Sequence, residues 1–357
     1  MMDSKKGGAI VYCEGAFNTP NGKTAHGLVR FTKRYRVRAV IDSNYAGQDT
    51  GEILDGKKNN IPVVANLADA LKLSNPDKHL LSYMVIGLAP DGGKLNQAAR
   101  NCIKEAVKMG LHIDCGLHDF LSDDKEIVQL AKRYDVQIRD IRKPPERKDL
   151  HFFSGKIEQV KAFKIALLGT DSAVGKRTTA WLLVQALQKF GWRTEMIGTG
   201  QTAWMQGAKY GIILDSLVND FLTGEIEHVI WQAWKETNSS ILVIEGQGSL
   251  LNPAYPGGYE ILAAGRPDVV VLQHAPARRE YDGFPGYAIH SLPRQIQAIE
   301  LISGKPVIAV TINHENLADG DILIKIKEIR DNIGLPAFDV LKNGADELAQ
   351  TIISYIK

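Results

Sequence analysis

The chain has 357 residues, is 44% hydrophobic and 24% charged, and carries a formal net charge of +2 at pH 7. This length predicts two domains rather than one core, and the small charge argues against nucleic acid or a membrane surface as partners. Three scattered cysteines and a start with no long apolar run exclude a disulfide scaffold and a signal peptide, so we expect a cytoplasmic protein that acts on a small molecule; its oligomeric state stays open, a homo-oligomer included.

Short β-branched runs alternate with longer helical patterns in the first part of the chain, which predicts a parallel sheet covered by helices on both faces. We predict strands at 9–13, 37–42, 83–88, 111–115 and 137–141. Helices are predicted over 24–32, 95–107 and 123–134. The first domain is therefore assigned to residues 1–141.

Residues 142–156 (RKPPERKDLHFFSGK) break this alternation with two prolines and no periodic apolar pattern, which predicts a linker. The second domain, 157–357, resumes it. We predict strands at 163–168, 194–197, 241–245, 269–273, 307–312 and 338–341, and helices at 175–190, 217–236, 293–303, 320–333 and 345–356. The predicted fold class is α/β, with two doubly wound parallel-sheet domains, in which ligands bind beyond the carboxyl ends of the strands.

The segment GTDSAVGKRT follows a buried strand and opens a helix, which is the context that a phosphate-binding loop requires. Successive backbone amides and the helix N-terminus favour an anion there, and Lys176 can reach an outer phosphate. The alternative is an ordinary glycine-rich turn. The predicted cofactor-binding residues are Gly169, Thr170, Asp171, Ser172, Ala173, Val174, Gly175, Lys176, Arg177 and Thr178.

The residue after the lysine departs from the usual loop, where a serine or threonine hydroxyl holds magnesium. Arg177 stands there, and the hydroxyls follow at Thr178 and Thr179. One step along a helix turns a side chain by about 100°, so Thr178 is misplaced unless the helix starts one residue later. We expect the loop to bind a phosphate that it does not cleave, and we predict no metal site.

A second candidate is Glu245, which closes the buried strand ILVIE before the glycine-rich GQGS. In a strand parallel to and beside that of the phosphate loop, its carboxylate would face the loop. It could hold a metal, act as a general base or accept a substrate amine, or it could simply cap the next turn.

A third region, GRPDVVVLQHAPARREYDGFPG, surrounds a strand with histidine, arginine, tyrosine and aspartate. Paired arginines suit a carboxylate or phosphate ligand, although a solvated loop tied by Arg–Asp pairs has the same composition. Lys23 belongs to a second, less regular GKT segment in the first domain. The predicted substrate-binding residues are Arg266, Arg278, Arg279, Tyr281, Asp282 and Lys23, and His274 is a further catalytic candidate.

The spacing His112-x-x-Cys115-x-x-His118 is similar to that of metal ligands, but strand alternation would send these side chains to different faces. We predict a structural role for them.

Two resemblances follow from these motifs. GTDSAVGKRTT and VIEGQGS resemble the P-loop class that includes dethiobiotin synthetase. Together with VIGLAPDGGKL, GLHIDCGLHDFLSDD, IRDIRKPP and GRPDVVVLQHAPARREYDGFP, they resemble over nearly the full length a two-domain bacterial family. That family has a Rossmann-like N-terminal and a P-loop C-terminal domain, and some of its members are assigned as D-glutamate N-acetyltransferases that use acetyl-CoA.

The second resemblance implies an N-acetyltransferase in which the loop holds the diphosphate of coenzyme A. Glu245 or His274 would take the amine proton, Lys176 would complete the catalytic set, and amides of 246–249 could donate to the oxyanion. The first resemblance implies a ligase or kinase that uses Mg-ATP. A nucleotide-binding regulator without turnover and a nicotinamide-dependent redox enzyme remain as further alternatives.

Overall fold

The computed structural model describes residues 7–73 and 81–356, and the chain divides into two compact units. The first unit comprises Met1–Pro144 and Gln201–Gly207, and the second comprises Pro145–Gly200 and Ala208–Lys357. No helix in the described ranges is both long and apolar enough to cross a bilayer.

Within the described residues, the first unit is built on a six-stranded, all-parallel sheet. Its strands are β1 (Gly7–Tyr12), β2 (Tyr35–Ile41), β3 (Val63–Val64), β4 (Leu81–Ile86), β5 (His112–Cys115) and β6 (Ile138–Asp140). They lie in the order β3-β2-β1-β4-β5-β6, which is the order of dinucleotide-binding sheets and confirms a Rossmann-like unit.

The helices of the first unit pack on this sheet through small and aliphatic side chains. They are α1 (Lys23–Arg30), α2 (Thr50–Asp55), α3 (Leu67–Lys72), α4 (Gln97–Lys108), α5 (Lys125–Arg133) and α7 (Gln201–Gln206). In α4, Asn96 caps the N-terminus by accepting from the Ala99 amide, and Ile103 and Val107 are fully buried. The apolar residues predicted at helical spacing therefore form the face of α4 that packs against the core.

The second unit contains, among the described residues, a seven-stranded parallel sheet in the order β13-β12-β11-β7-β10-β8-β9. Its strands are β7 (Phe163–Gly169), β8 (Thr194–Gly198), β9 (Tyr210–Gly211), β10 (Ile241–Glu245), β11 (Val269–His274), β12 (Val307–Ile312) and β13 (Ala337–Phe338). Its helices are α6 (Lys176–Lys189), α8 (Asn219–Thr237), α9 (Tyr259–Gly265), α10 (Leu292–Ser303), α11 (Asp319–Ile333), α12 (Val340–Asn343) and α13 (Asp346–Ile353). The predicted α/β class is confirmed for both units.

The strand predicted at 338–341 is wrong beyond Phe338. The side chain of Asp339 accepts from the Lys342 amide and begins α12, so a capping hydrogen bond overrides the apolar, strand-like composition. The sequence also gave no prediction for the short elements β3, β9, α2, α3, α7 and α9.

Helix α7 belongs to the first unit although its chain neighbours on both sides belong to the second. The Gln206 side chain donates to Gly27 O at 2.8 Å, the Lys33 amide donates to Gln206 O at 2.7 Å, and the hydroxyls of Thr24 and Thr202 lie 3.0 Å apart. These bonds to α1 and to the segment after it fix α7 in the first unit.

Candidate functional site

Three adjacent strands bring Glu245, His274 and the phosphate loop to one edge of the second sheet. Strand β7 lies between β10 and β11, and Glu245 pairs in register with Leu167, while Gln273 pairs with Gly169. Glu245, His274 and the start of the phosphate loop therefore share the carboxyl edge, which is the placement expected from parallel pairing.

The backbone of the phosphate loop turns through two residues with positive φ, Ala173 at 52° and Gly175 at 103°. The left-handed conformation costs a residue with a Cβ roughly 1–2 kcal/mol, so Ala173 is held there by its surroundings. Gly175 is the N-cap of α6 and leaves the first helical amides without a side-chain cap. Alternating backbone conformations before an uncapped helix N-terminus form a concave set of amides that favours an anion.

Lys176 lies across this loop and is 7% exposed. Its Nζ donates to Asp171 O at 2.6 Å and to Gly248 O at 2.8 Å, so one ammonium joins the phosphate loop to the segment after β10. A Cβ on Gly169 would stand 2.8 Å from the Cδ atom of Lys176, and only glycine leaves room for the lysine at that position.

The start of α6 decides the place of the hydroxyls. The helix begins at Lys176, so Arg177 takes the position of the usual magnesium-binding residue and Thr178 does not. The Thr179 hydroxyl donates to Gln273 Oε1 at 2.6 Å, as does the Thr311 hydroxyl, and both serve to order the core. Among the residues that the structure describes, no group of three or more His, Cys, Asp or Glu side chains is arranged to hold a metal.

Asp171 is fully buried and connects three segments of the site. Its carboxylate accepts from Arg278 Nη1 at 2.7 Å, from Asn252 Nδ2 at 2.8 Å and from the Asp282 amide at 2.9 Å. A carboxylate that is satisfied by so many protein donors holds loops together, and its position in the phosphate loop makes it a structural anchor of the site.

The guanidinium of Arg278 binds other groups of the protein. Besides Asp171 it contacts Ser172 O at 2.8 Å and Glu315 Oε1 at 2.7–2.8 Å. Burial acts to lower the pKa of its guanidinium, but its hydrogen bond to Asp171 and the negative charge of Glu315 raise the pKa overall. The next residue, Arg279, is exposed on the same loop.

The other predicted substrate residues divide between this edge and other places. The Tyr281 hydroxyl donates to Leu251 O at 2.9 Å, and Asp282 Oδ2 accepts from the Ser172 hydroxyl at 3.2 Å, so both lie at the site. Arg266 precedes β11 and pairs with Glu158 at 3.0 Å, at the amino ends of the strands. Lys23 begins α1 in the first unit. The structure does not bring Arg266 to the carboxyl edge.

Glu245 is 5% exposed, and burial raises the pKa of its carboxyl against the opposing charges of Arg177 and Lys176. Its Oε2 accepts from the Thr199 amide at 2.9 Å, and the Thr199 hydroxyl donates to Glu245 O at 2.9 Å. A desolvated carboxylate whose pKa is raised is a better proton acceptor than an exposed one, which suits general base catalysis.

His274 stands at the end of β11, with its Nδ1 3.0 Å from the Thr170 hydroxyl. Burial, together with the positive charge of Arg278, lowers the pKa of the imidazole to about 4. The ring is therefore neutral at physiological pH and a weak proton acceptor, which leaves Glu245 as the stronger candidate for the base.

Two of the amides suggested for an oxyanion are engaged within the fold. The Gly246 amide donates to Leu167 O at 3.0 Å, and the Ser249 amide donates to Tyr255 O at 3.2 Å. Oxyanion stabilisation by these two groups is excluded in this conformation.

Several polar residues that order the site were not identified from the sequence. The Gln295 side chain on α10 donates to Thr170 O at 3.0 Å, and Gln273, Asn252 and Glu315 bind the loop or its anchors as described. Asn252 follows the GQGS turn and Glu315 follows the end of β12, so the positions of both carried a signal. Gln273 and Gln295 sit in apolar or amphipathic patterns like ordinary sheet or helix residues.

The first unit offers less to a dinucleotide. Asp42, which follows β2 where a ribose ligand would be expected, is fully buried and accepts from the Phe17 amide at 2.8 Å and the Asn44 amide at 3.0 Å. Because its oxygens satisfy these local donors, the nicotinamide-dependent reading loses its main support.

Comparison with known families agrees with this architecture. A family model described as "Domain of unknown function (DUF1611_C) P-loop domain" matches residues 151–349. The chain belongs to the DUF1611 family. The companion model, the DUF1611_N Rossmann-like domain, matches residues 43–144. The resemblance to a two-domain family is thereby confirmed.

Individual relatives of this DUF1611 chain give two kinds of information. Proteins named D-glutamate N-acetyltransferase from Tritonibacter scottomollicae and a Pseudoalteromonas species are each 28% identical, over 75% of this chain and 80% of their own length. A crystal structure of a DUF1611 family protein from Anabaena variabilis superposes with a TM-score of 0.89 at 29% identity, covering 98% of this chain and 100% of that one.

Proposed function

We propose that this DUF1611 protein is an N-acetyltransferase that transfers the acetyl group of acetyl-CoA to the amine of an acidic amino acid, with D-glutamate as the preferred acceptor. The observation that carries the proposal is a complete phosphate loop in which Arg177 replaces the magnesium-binding hydroxyl. The names of the two 28% identical relatives support the same activity.

The phosphate loop supplies the site for the acyl donor. Coenzyme A carries a diphosphate, and an anion-binding turn with positive φ at Ala173 and Gly175 suits it without a metal ion. Lys176 adds a fixed positive charge, since its ammonium already lies against the loop carbonyl of Asp171. The loop serves to hold the donor, and its phosphates stay intact.

Glu245 is the proposed base. The acceptor amine is protonated at neutral pH, and its nitrogen becomes nucleophilic only after one proton leaves to the Glu245 carboxylate. The nitrogen then attacks the thioester carbonyl carbon, the carbon–sulfur bond breaks, and the second proton that the nitrogen loses passes to the departing thiolate, which leaves as the free thiol. The raised pKa of Glu245 favours the first of these transfers.

Arg279 is the proposed ligand for an acceptor carboxylate. It is exposed on the loop whose other arginine, Arg278, is engaged by Asp171 and Glu315. A guanidinium can bind a carboxylate through two parallel hydrogen bonds, which favours an acidic amino acid over a neutral one.

The decisive experiment incubates the purified protein with acetyl-CoA and a panel of D- and L-amino acids and measures free thiol. We expect thiol release with D-glutamate, less with other acidic amino acids, and none with neutral ones. Parallel reactions with Mg-ATP measure phosphate. Phosphate release with no thiol would favour the ligase or kinase alternative, and ligand binding with neither product would favour a regulator.

A further inference from the structure

Three aromatic side chains, Tyr255, Phe284 and Tyr287, form a cluster beside the phosphate loop that we call the aromatic platform. The rings of Tyr255 and Phe284 meet edge to face with centroids 5.8 Å apart, and those of Phe284 and Tyr287 do so at 6.5 Å. Tyr255 is 52% exposed and Tyr287 is 57% exposed. Aromatic rings grouped in solvent are typical of a binding surface.

The platform is attached to the phosphate loop from two sides. On one side, Tyr255 O accepts from the Ser249 amide, next to Gly248, whose carbonyl binds Lys176 Nζ. On the other side, Phe284 lies two residues after Asp282, whose amide donates to Asp171 within the loop. Each of the two chain segments that carry these rings is therefore bonded to the phosphate loop or to Lys176 at a position a few residues away from its ring.

The platform is also held in place by its own backbone. Residues 279–289 form a hairpin in which the Tyr281 amide donates to Tyr287 O at 2.9 Å and the Ile289 amide donates to Arg279 O at 3.0 Å. The Tyr281 hydroxyl ties this hairpin to Leu251 O, in the loop that carries Tyr255. Rings on a preorganised support lose little freedom when a ligand stacks on them.

The end of β12, which also lies at the carboxyl edge of the second sheet, is a less suitable place to bind the base of a nucleotide. Asn313 accepts from the Glu315 amide at 3.1 Å and donates to the Glu315 carboxylate at 3.2 Å, and Glu315 in turn binds Arg278. The amide group of Asn313 is thus committed to the network that orders the site.

We propose that the aromatic platform binds the adenine base of the nucleotide whose diphosphate lies on the phosphate loop. Adenine is flat and apolar on both faces, and stacking on an aromatic side chain is a sequence-independent way of holding a base. The inference rests on the proposed function in that the nucleotide is coenzyme A, but the platform would bind the base of ADP in the same way.

The test measures affinity by calorimetry for coenzyme A, ADP and inorganic pyrophosphate, which lacks a base. The variants are Tyr255→Ala, Tyr287→Ala and Tyr287→Trp. The matched control is Tyr355→Ala, which removes a tyrosine that is 45% exposed near the C-terminus. We expect each platform alanine to weaken coenzyme A and ADP about tenfold and to leave pyrophosphate unchanged, because loss of one stacking partner removes on the order of a tenfold affinity. Tyr287→Trp and the control should bind like wild type.

The inference would be overturned by unchanged affinity for both nucleotides in the platform variants, by an equal loss of affinity for pyrophosphate, or by a raised KM for the amino acid alone. A wild-type protein that binds neither nucleotide would overturn it as well. A wild-type protein that binds ADP through the platform but releases no thiol from acetyl-CoA would contradict the proposed function and leave this inference standing.

Discussion

Lys176 Nζ donates to the carbonyl oxygen of Gly248 across 2.8 Å, although 72 residues separate the two in the chain. The same ammonium binds Asp171 O, so the charge that would meet a diphosphate also joins the phosphate loop to the segment behind Glu245. The proposed diphosphate site and the segment that follows the proposed base are therefore joined through one side chain.

We expect Lys176→Ala to raise the dissociation constant of coenzyme A by at least about tenfold, because one charge-assisted contact to phosphate is worth roughly 1.5–3 kcal/mol. Calorimetric titration measures this directly. Lys189→Ala is the control, since Lys189 lies on the same helix with a side chain that is 67% exposed. Equal affinities in the two variants would remove Lys176 from the binding site.

Coenzyme A binding should not depend on magnesium, because Arg177 occupies the position of the usual metal-binding hydroxyl. The dissociation constant is expected to be the same in excess EDTA and in millimolar magnesium. A strong magnesium requirement, above all one accompanied by ATP hydrolysis, would argue for the ligase or kinase alternative.

Glu245→Gln should abolish thiol release while coenzyme A affinity is kept, because the amide cannot take the amine proton. The same variant should melt at a higher temperature at pH 7. Burial raises the pKa of Glu245, so its ionised form is less favourable in the folded than in the unfolded protein, and this cost is present above the carboxyl's usual range and absent in acid.

The two readouts on Glu245 separate catalysis from structure. Normal turnover in Glu245→Gln would mean that the carboxylate only caps the Thr199 amide. The side-chain oxygen of glutamine can still accept that hydrogen bond. A lower melting temperature at pH 7 would mean that Arg177 and Lys176 outweigh the cost of burial.

His274 should make the fold sensitive to acid. Its pKa is about 4 in the folded protein and about 6.5 in an unfolded chain, so the unfolded state binds the extra proton and stability falls as the pH drops from 6.5 to 4. Thermal melts at pH 7 and pH 4.5 should therefore differ less in His274→Gln than in wild type. An equal acid sensitivity of the two proteins would show that His274 is not the group responsible.

Arg278 and Arg279 are adjacent residues that we expect to respond oppositely to substitution. Arg278→Ala should destabilise the protein by about 3 kcal/mol or more in denaturant unfolding, because it leaves the fully buried Asp171 without its cation. Arg279→Ala should change stability by about 0.5 kcal/mol or less and should raise the KM for the acceptor amino acid. A stable Arg278→Ala variant with a raised acceptor KM would reverse these roles.

The longer helices and strands could be predicted from the sequence because the spacing of apolar residues indicates which face of an element is buried. Helices α4, α6 and α11 and strands β7, β10 and β12 lie within a few residues of their predicted bounds. The segment after Phe338 departs from its predicted strand because one capping aspartate, Asp339, outweighs the short apolar run that follows it.

Part of the site followed from the sequence for a similar reason. A loop after one buried strand and a carboxylate after another must both lie at carboxyl ends, and parallel pairing of β7 with β10 makes them neighbours. Arg266 was predicted to bind substrate, but it lies before β11 and therefore at the opposite edge of the sheet.

By itself the sequence determined two α/β units, a phosphate-loop motif with a displaced hydroxyl and a strand-end glutamate, because each of these depends on residues close together in the chain. Tertiary structure alone decided that Arg278 would be engaged by Asp171 and Glu315, that Asn252 would brace the loop, and that α7 would belong to the first unit. These outcomes depend on which distant segments the sheet order brings into contact, and no local pattern records that order.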